Sequence, residues 1–265
     1  MSDFEFRFGG IARLYGAVAL TRLRLAHVMV VGIGGVGSWT VEALARSGVG
    51  TLTLVDLDEV CISNVNRQVP ALDGHIGRSK VEVMAERIHA IAPECRVIPI
   101  VGFYTELSEA QLLPEDGTRP NVVVDAIDAV ANKVRLIARG HRLGVPVVVC
   151  GGAGGRRDPT QVRISDLAQV THDRLSSEVR KRLRKEHGFP SEGKKLGLDC
   201  VWSAELPVFP QKDGTVCLAA EAVTEPGESK RLNCDWGFGS ATFVTGTFGF
   251  AAAAQAVRRI LERVQ

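Results

Sequence analysis

The chain has 265 residues, 45% of them hydrophobic and 23% charged, and its 32 Lys and Arg against 30 Asp and Glu leave a net charge of +2. At about 150 residues per domain this is one large domain or one with an appendage, long enough to bury a sizeable core without disulfides or metals. Disorder, a collagen-like repeat and a small disulfide scaffold are excluded, and any nucleic-acid surface must be a local basic patch.

Residues 11–25 read as an amphipathic opening helix, and HVMVVGI (27–33) as a buried parallel strand ending in glycines. The segment 34–48 reads as a helix with Gly48 as its cap, and TLTLVD (51–56) as a second strand. A long polar loop leads to a helix over 79–91 that Pro93 stops, then to a third strand at 95–101. A fourth strand (121–128), a helix through Leu143 and a fifth strand (145–152) follow. Strands alternating with helices predict an α/β fold, a doubly wound, mostly parallel, Rossmann-like sheet with right-handed crossovers. The second half offers a strand at 159–167, a basic helix at 171–188 and a short strand at 197–205. Residues 206–239 show little beyond a hairpin at QKDGTV, a length that points to a functional lid or a mobile segment. The tail 239–257 carries no charge over about a membrane-spanning length. Its small residues and the helically spaced Arg258, Arg259, Glu262 and Arg263 favour a core helix packed closely on the sheet, with membrane association left open.

Gly32, Gly34 and Gly37 form G-x-G-x-x-G between a strand and a helix, with Gly35 inside the motif. Such a loop turns tightly, brings backbone amides to a phosphate and aims a helix N-terminus at it. Asp56 ends the second strand, where an acid binds ribose hydroxyls. The first reading of this fingerprint is an NAD dehydrogenase. The next loop argues otherwise, because Asp58, Asn64, Arg67, Gln68 and Lys80 gather on one edge. Hydride transfer needs no such cations, whereas a triphosphate needs its charge neutralised. Asp128, in DAIDAVANK at the end of the fourth strand, is placed to hold Mg²⁺ with the phosphates or to cap the next helix, with Asp125 and Asn132 in support.

GIGGVG, LVDLDEV with the SN-x-NRQ that follows it, IGRSK and DAIDAVANK resemble the E1-like adenylating enzymes of the ThiF-MoeB-HesA superfamily, over about residues 7–150. RFGGIARLYG, GGAGGRRDPTQVRISDLA, KLGLDCVWSAE and NCDWGFGSATFVTGTFGF extend the likeness to nearly the whole chain and look like the tRNA threonylcarbamoyladenosine dehydratase subfamily. The resemblance implies a single E1-like domain with a C-terminal extension and a long crossover loop. Residues 1–150 would form the ATP-binding half and 151–265 the half that binds tRNA and the second subunit. It implies ATP-dependent dehydration of N6-threonylcarbamoyladenosine at tRNA position 37 to its cyclic form, through adenylation of the threonyl carboxylate. Gly32, Gly34, Gly35, Gly37, Asp56, Asp58, Asn64, Arg67, Gln68, Lys80, Asp128 and Asn132 fall on the nucleotide site, with Arg67, Lys80 and Asp128 also catalytic. A homodimer would bring an N-terminal arginine, Arg13 or Arg7, to the neighbouring subunit's phosphates. The family works near cysteine desulfurase and sulfur-acceptor proteins, and a monovalent cation site (Na⁺ or K⁺) is left open.

The six cysteines, Cys61, Cys95, Cys150, Cys200, Cys217 and Cys234, include no C-x-x-C pair, so no zinc is expected. Cys234 is the best candidate for a chemical thiol, with a structural role as the alternative; the other five are expected to be inert. The opening MSDFEFRFGG does not read as a signal peptide, and a cytoplasmic protein with reduced thiols is expected. The run Arg180, Lys181, Arg182, Arg184 and Lys185 reads as a contact for tRNA phosphates, against the bland alternative of a solvated helix face. The chief rival function is E1-like activation of the C-terminal glycine of a small ubiquitin-like sulfur carrier; an NAD oxidoreductase and a nucleotide-sensing module without chemistry are the others.

Overall fold

The computed structural model describes residues 2–117, 119–211, 213–218 and 238–262. Two helices open the chain, α1 (Asp3–Tyr15) and α2 (Ala17–Leu25). The single helix read over 11–25 is therefore corrected. Ser2 and Glu5 form a capping box that starts α1 earlier, and Gly16, at φ 93°, breaks the run.

The alternation that follows is β1 (His27–Val31), α3 (Gly37–Arg46), β2 (Thr51–Asp56), α4 (Lys80–Ile91), β3 (Arg96–Val101), the short α5 (Glu109–Leu112), β4 (Val122–Asp125), α6 (Val130–Arg142) and β5 (Val147–Cys150). Beyond it come β6 (Val162–Asp166), α7 (Arg174–His187), β7 (Asp199–Ser203), a hairpin of β8 (Val208–Pro210) and β9 (Val216–Leu218), and α8 (Thr242–Glu262). The strands order β3-β2-β1-β4-β5-β7-β6, all parallel except β6, which runs antiparallel to β7 at the edge. Pro99 lies in β3, the opposite edge, where a missing N–H is tolerated.

Alternate residues of each inner strand face opposite layers, and both are apolar, as a sheet covered on both faces requires. Val28, Val30, Leu52, Leu54, Val122 and Val124 pack under α1–α4 and α8. Met29, Val31, Val123, Val147 and Val149 pack under α6 and α7. Among the described residues no helix is long and apolar enough to cross a membrane. The apolar tail helix instead buries Val244, Phe248, Ala252, Ala256 and Ile260 in the core. Gly249 makes this packing close: a Cβ there would lie 2.6 Å from the Trp39 Cβ and 2.7 Å from the Val36 carbonyl oxygen.

Candidate active site

The order of the parallel strands reverses between β1 and β4, so their connections leave on opposite faces and a crevice opens at their C-terminal ends. A cavity of about 630 Å³ occupies it and continues over the tip of β5. The glycine loop forms its floor. Gly32 has φ 90°, and a Cβ there would lie 2.7 Å from the Ala126 carbonyl oxygen; at Gly37 the clash would be with the Gly32 carbonyl oxygen, at 1.8 Å. Only glycine lets the turn and the first residue of α3 approach so closely.

Asp56 is fixed by its own backbone surroundings. Its Oδ2 accepts from the Ile33 N–H at 2.6 Å and its Oδ1 from the Asp58 N–H at 2.8 Å. Next to it the buried Lys80 donates to Asp58 Oδ2 at 2.8 Å. A 3₁₀ turn, Ile62–Asn64, carries the loop into the crevice, with Asn64 Oδ1 accepting from the Cys61 N–H. Arg67 donates from Nη1 to the Ser63 carbonyl (2.8 Å) and to Asn66 Oδ1 (2.9 Å), while its own carbonyl accepts from Trp39 Nε1. Gln68 is buried, with Oε1 unpartnered. Gly34, Gly35, Asp128 and Asn132 complete this half, and Asp128 is exposed at the rim. The nucleotide-site residues expected from sequence thus line one cavity, except Gly37, which packs behind the loop against the Gly32 carbonyl.

Behind Asp128 lies a fully buried ion pair that sequence reasoning did not assign. Lys133 Nζ is 3.0 Å from Asp125 Oδ2 and also donates to the carbonyls of Asp125 and Ile127. Burial pushes the Asp125 carboxyl above its usual range, against the pull of Lys133. Lys133 therefore pins the turn that presents Asp128.

The far half of the cavity was not foreseen in detail. Here Gly151–Gly154 meet Arg156, His172, Asp173, Arg174, Pro207 and Phe238. Asp173 caps α7 by accepting from Ser176, and it also takes the Gly152 N–H at 2.9 Å, which ties the β5 loop to the helix. A Cβ on Gly151 would lie 2.3 Å from Asp173 Oδ2, so the GGAGG run was the available signal. His172, the one described non-glycine residue with positive φ (55°), accepts at its carbonyl from Arg156 Nη2.

The remaining expected residues lie elsewhere. Arg13 is exposed and away from this cavity, whereas Arg7 is engaged by Asp3 and by the Ile91 carbonyl. In the basic helix, Arg180 donates to the carbonyls of Leu167 and Val170, Arg182 pairs with Glu186, and Arg184 donates to the Pro190 carbonyl. Lys181 and Lys185 are exposed. Three of the five cations of this run are thus engaged within the fold.

Cys234 lies outside the described residues. Cys95, Cys150 and Cys200 are buried, and burial raises their thiols, to about 11 for Cys95 and about 12 for Cys150. Cys61 is exposed, and the Ser63 hydroxyl lowers its pKa. Among the described residues no group of three or more His, Cys, Asp and Glu is arranged to hold a metal.

Residues 10–265 match the ThiF family. The chain belongs to the ThiF family. This ThiF-family chain is 49% identical over 258 residues to the tRNA threonylcarbamoyladenosine dehydratase of Escherichia coli (strain K12), covering 97% of this chain and 94% of that one. Solved structures of E. coli tRNA N6-threonylcarbamoyladenosine dehydratase, TcdA, are similar throughout. The complex with AMP has a TM-score of 0.84 and the complex with ATP one of 0.82; both are 45% identical and cover 98% of this chain and 96% of that one.

Proposed function

We infer that this chain catalyses the ATP-dependent dehydration of N6-threonylcarbamoyladenosine in tRNA to its cyclic form. The observation that carries the reading is the near full-length, 49% identity to a dehydratase of that name, on a cavity with a cationic nucleotide half. A carboxylate oxygen of the threonyl group attacks the α-phosphorus of ATP, and pyrophosphate leaves. A nucleophile within the same side chain then attacks the acyl carbon, closes a ring and expels AMP. The net change is loss of one water. Activation converts the carboxylate into a mixed anhydride from which AMP can leave, and ring closure gains from proximity.

The residues divide this work. Asp56 holds the ribose, and the glycine loop with the N-terminus of α3 receives the phosphates. Arg67 and Lys80 neutralise charge that builds on the phosphates during transfer. Asp128, exposed and without an ion-pair partner among the described residues, fits a Mg²⁺ ligand. Bound with the triphosphate, the ion would screen the leaving pyrophosphate. The monovalent cation has no residues assigned to it.

The second subunit of a homodimer supplies Arg13, which its own cavity does not use. The exposed Phe6, Leu14, Val18 and Leu25 on the two N-terminal helices are consistent with a partner there. Lys181 and Lys185, with the neighbouring Arg174, are the cations free to meet tRNA phosphates. A cytoplasmic location and docking to a cysteine desulfurase belong to the same reading.

The test is incubation of threonylcarbamoyladenosine-bearing tRNA with ATP and the purified chain. Loss of one water from the modified nucleoside, matched by AMP, is expected, and Arg67→Ala and Asp128→Ala should each abolish AMP release. AMP formation that instead required a small protein ending in Gly-Gly would replace this reading with sulfur-carrier activation.

A further inference from the structure

The nucleotide half of the cavity accounts for ATP and leaves the far half unassigned. Asp56 stands at the tip of β2, the glycine loop at β1 and Asp128 just beyond β4. The nucleotide therefore runs along the sheet from β2 to β4, and the next tip, β5, lies beyond its phosphates. That is where the acyl acceptor has to enter.

Arg156 lines this end with only 4% of its surface exposed. Its Nη2 donates to the His172 carbonyl, while Nε and Nη1 are buried without a partner. Asp173 and Glu205 act on Arg156 electrostatically, but among the described residues neither forms an ion pair with it, and both are engaged elsewhere. Asp173 accepts from Gly152 and Ser176, and Glu205 Oε2 accepts from the backbone N–H groups of Arg157 and Asp158. A buried guanidinium with two nitrogens unpartnered is costly, and a ligand carboxylate that accepted from them would offset that cost.

A second observation lies at the same wall. The Phe238 ring packs 4.9 Å from Phe209, backed by glycines: a Cβ on Gly154 would lie 2.7 Å from the Phe238 Cβ. The residue stays 40% exposed and lines the cavity. A supported aromatic face beside a phosphate site suits a base taken out of its stack, which an anticodon-loop purine must be to reach a reaction centre.

We propose that the far half of the cavity is the acceptor-nucleoside subsite, in which Arg156 takes the carboxylate of the N6-acyl side chain and Phe238 stacks on the adenine. This rests on the dehydratase reading and names its specificity residues. A guanidinium that grips one carboxylate oxygen fixes the other toward the α-phosphorus.

The experiment compares binding, without ATP, of one tRNA with and without the threonylcarbamoyl group. Wild type should prefer the modified tRNA. Arg156→Ala should lose about 10- to 100-fold for the modified tRNA and nothing for the unmodified one. Arg156→Gln, which keeps donors at the wall, should fall between. Phe238→Leu should weaken both tRNAs together by about fivefold or more, and Phe238→Tyr should keep wild-type affinity. ATP affinity should be unchanged in all four, which also reports that each variant is folded. Equal losses for both tRNAs in Arg156→Ala and Arg156→Gln, or no loss in Phe238→Leu, would overturn the assignment. Failure of wild type to release AMP with the modified tRNA would instead remove the dehydratase reading itself.

Discussion

Replacing Lys133 by Met removes one end of an ion pair in which neither side chain has any exposed surface. Nζ has three acceptors: Asp125 Oδ2 at 3.0 Å, the Asp125 carbonyl at 3.2 Å and the Ile127 carbonyl at 3.0 Å. After the change Asp125 keeps only the Ile127 N–H, at 3.2 Å from Oδ1. Stranding one partner of a buried pair costs about 3–5 kcal/mol, which for a chain of this size lowers Tm by about 10 °C. The loss should depend on pH. Burial already raises the Asp125 pKa in the folded protein, and without Lys133 nothing comparable opposes it. A group whose folded pKa exceeds its unfolded value, near 3.9, holds its proton more tightly when folded. Its contribution is complete below that value and is lost as pH rises through the folded pKa. The deficit of Lys133→Met should therefore be smallest in acid and grow toward neutrality, and adding Asp125→Asn should recover part of it. Urea unfolding of wild type, both single variants and the double variant, from about pH 5 to 8, measures this. A deficit below about 1 kcal/mol, or one flat across that range, would refute the buried pair as the anchor of the Asp128 turn.

Gly37→Ala should abolish ATP binding by calorimetry, because its Cβ would fall 1.8 Å from the Gly32 carbonyl oxygen and force the loop open; retained affinity would mean that the loop does not hold phosphate. Asp199 is drawn upward by burial, but the bonds from Arg259 (2.5 and 2.8 Å) and the charges of Arg259 and Arg258 outweigh this and leave its pKa below the ordinary value. The clamp of α8 on β7 should thus be intact above about pH 4 and weaken as pH falls through the folded pKa, so Arg259→Ala should destabilise at neutral pH and lose its effect in strong acid. Arg13→Ala and Asp128→Ala, each inactive alone, should recover partial activity when their subunits are mixed; no recovery would argue against action in trans. Lys181→Glu with Lys185→Glu should raise the KM for tRNA and flatten its salt dependence while leaving that for ATP unchanged.

The half of the cavity proposed for the nucleotide was legible as a cluster because its signals are local. The glycine spacing, the acid ending β2 and the N-x-x-R-Q run each report a backbone or charge requirement within a few residues. The early start of α1 was also written in the chain, in the Ser2–Glu5 capping box, but the periodicity beginning at Ile11 drew attention from it. Other features depend on contacts between distant segments. β7 lies between β5 and β6 although it follows both, and the antiparallel direction of β6 emerges only from that pairing. Arg156 and Arg180 look like surface charges in sequence, and only the fold shows them turned to carbonyls of segments 10 to 16 residues away. Lys133 reads as one more helix cation until β4 is placed beside it.

The last described helix completes what the first crossover begins. α8 lies along α3, the Thr40 hydroxyl donates to the Gly249 carbonyl at 3.2 Å, and Thr245 reaches the cavity wall beside Arg67. On a ribosome, the fingerprint glycines emerge some 200 residues before the helix that packs on α3, so a nascent chain has its glycine loop long before that support exists. A chain that stopped short of α8 would carry the glycine motif without the helix that packs against it.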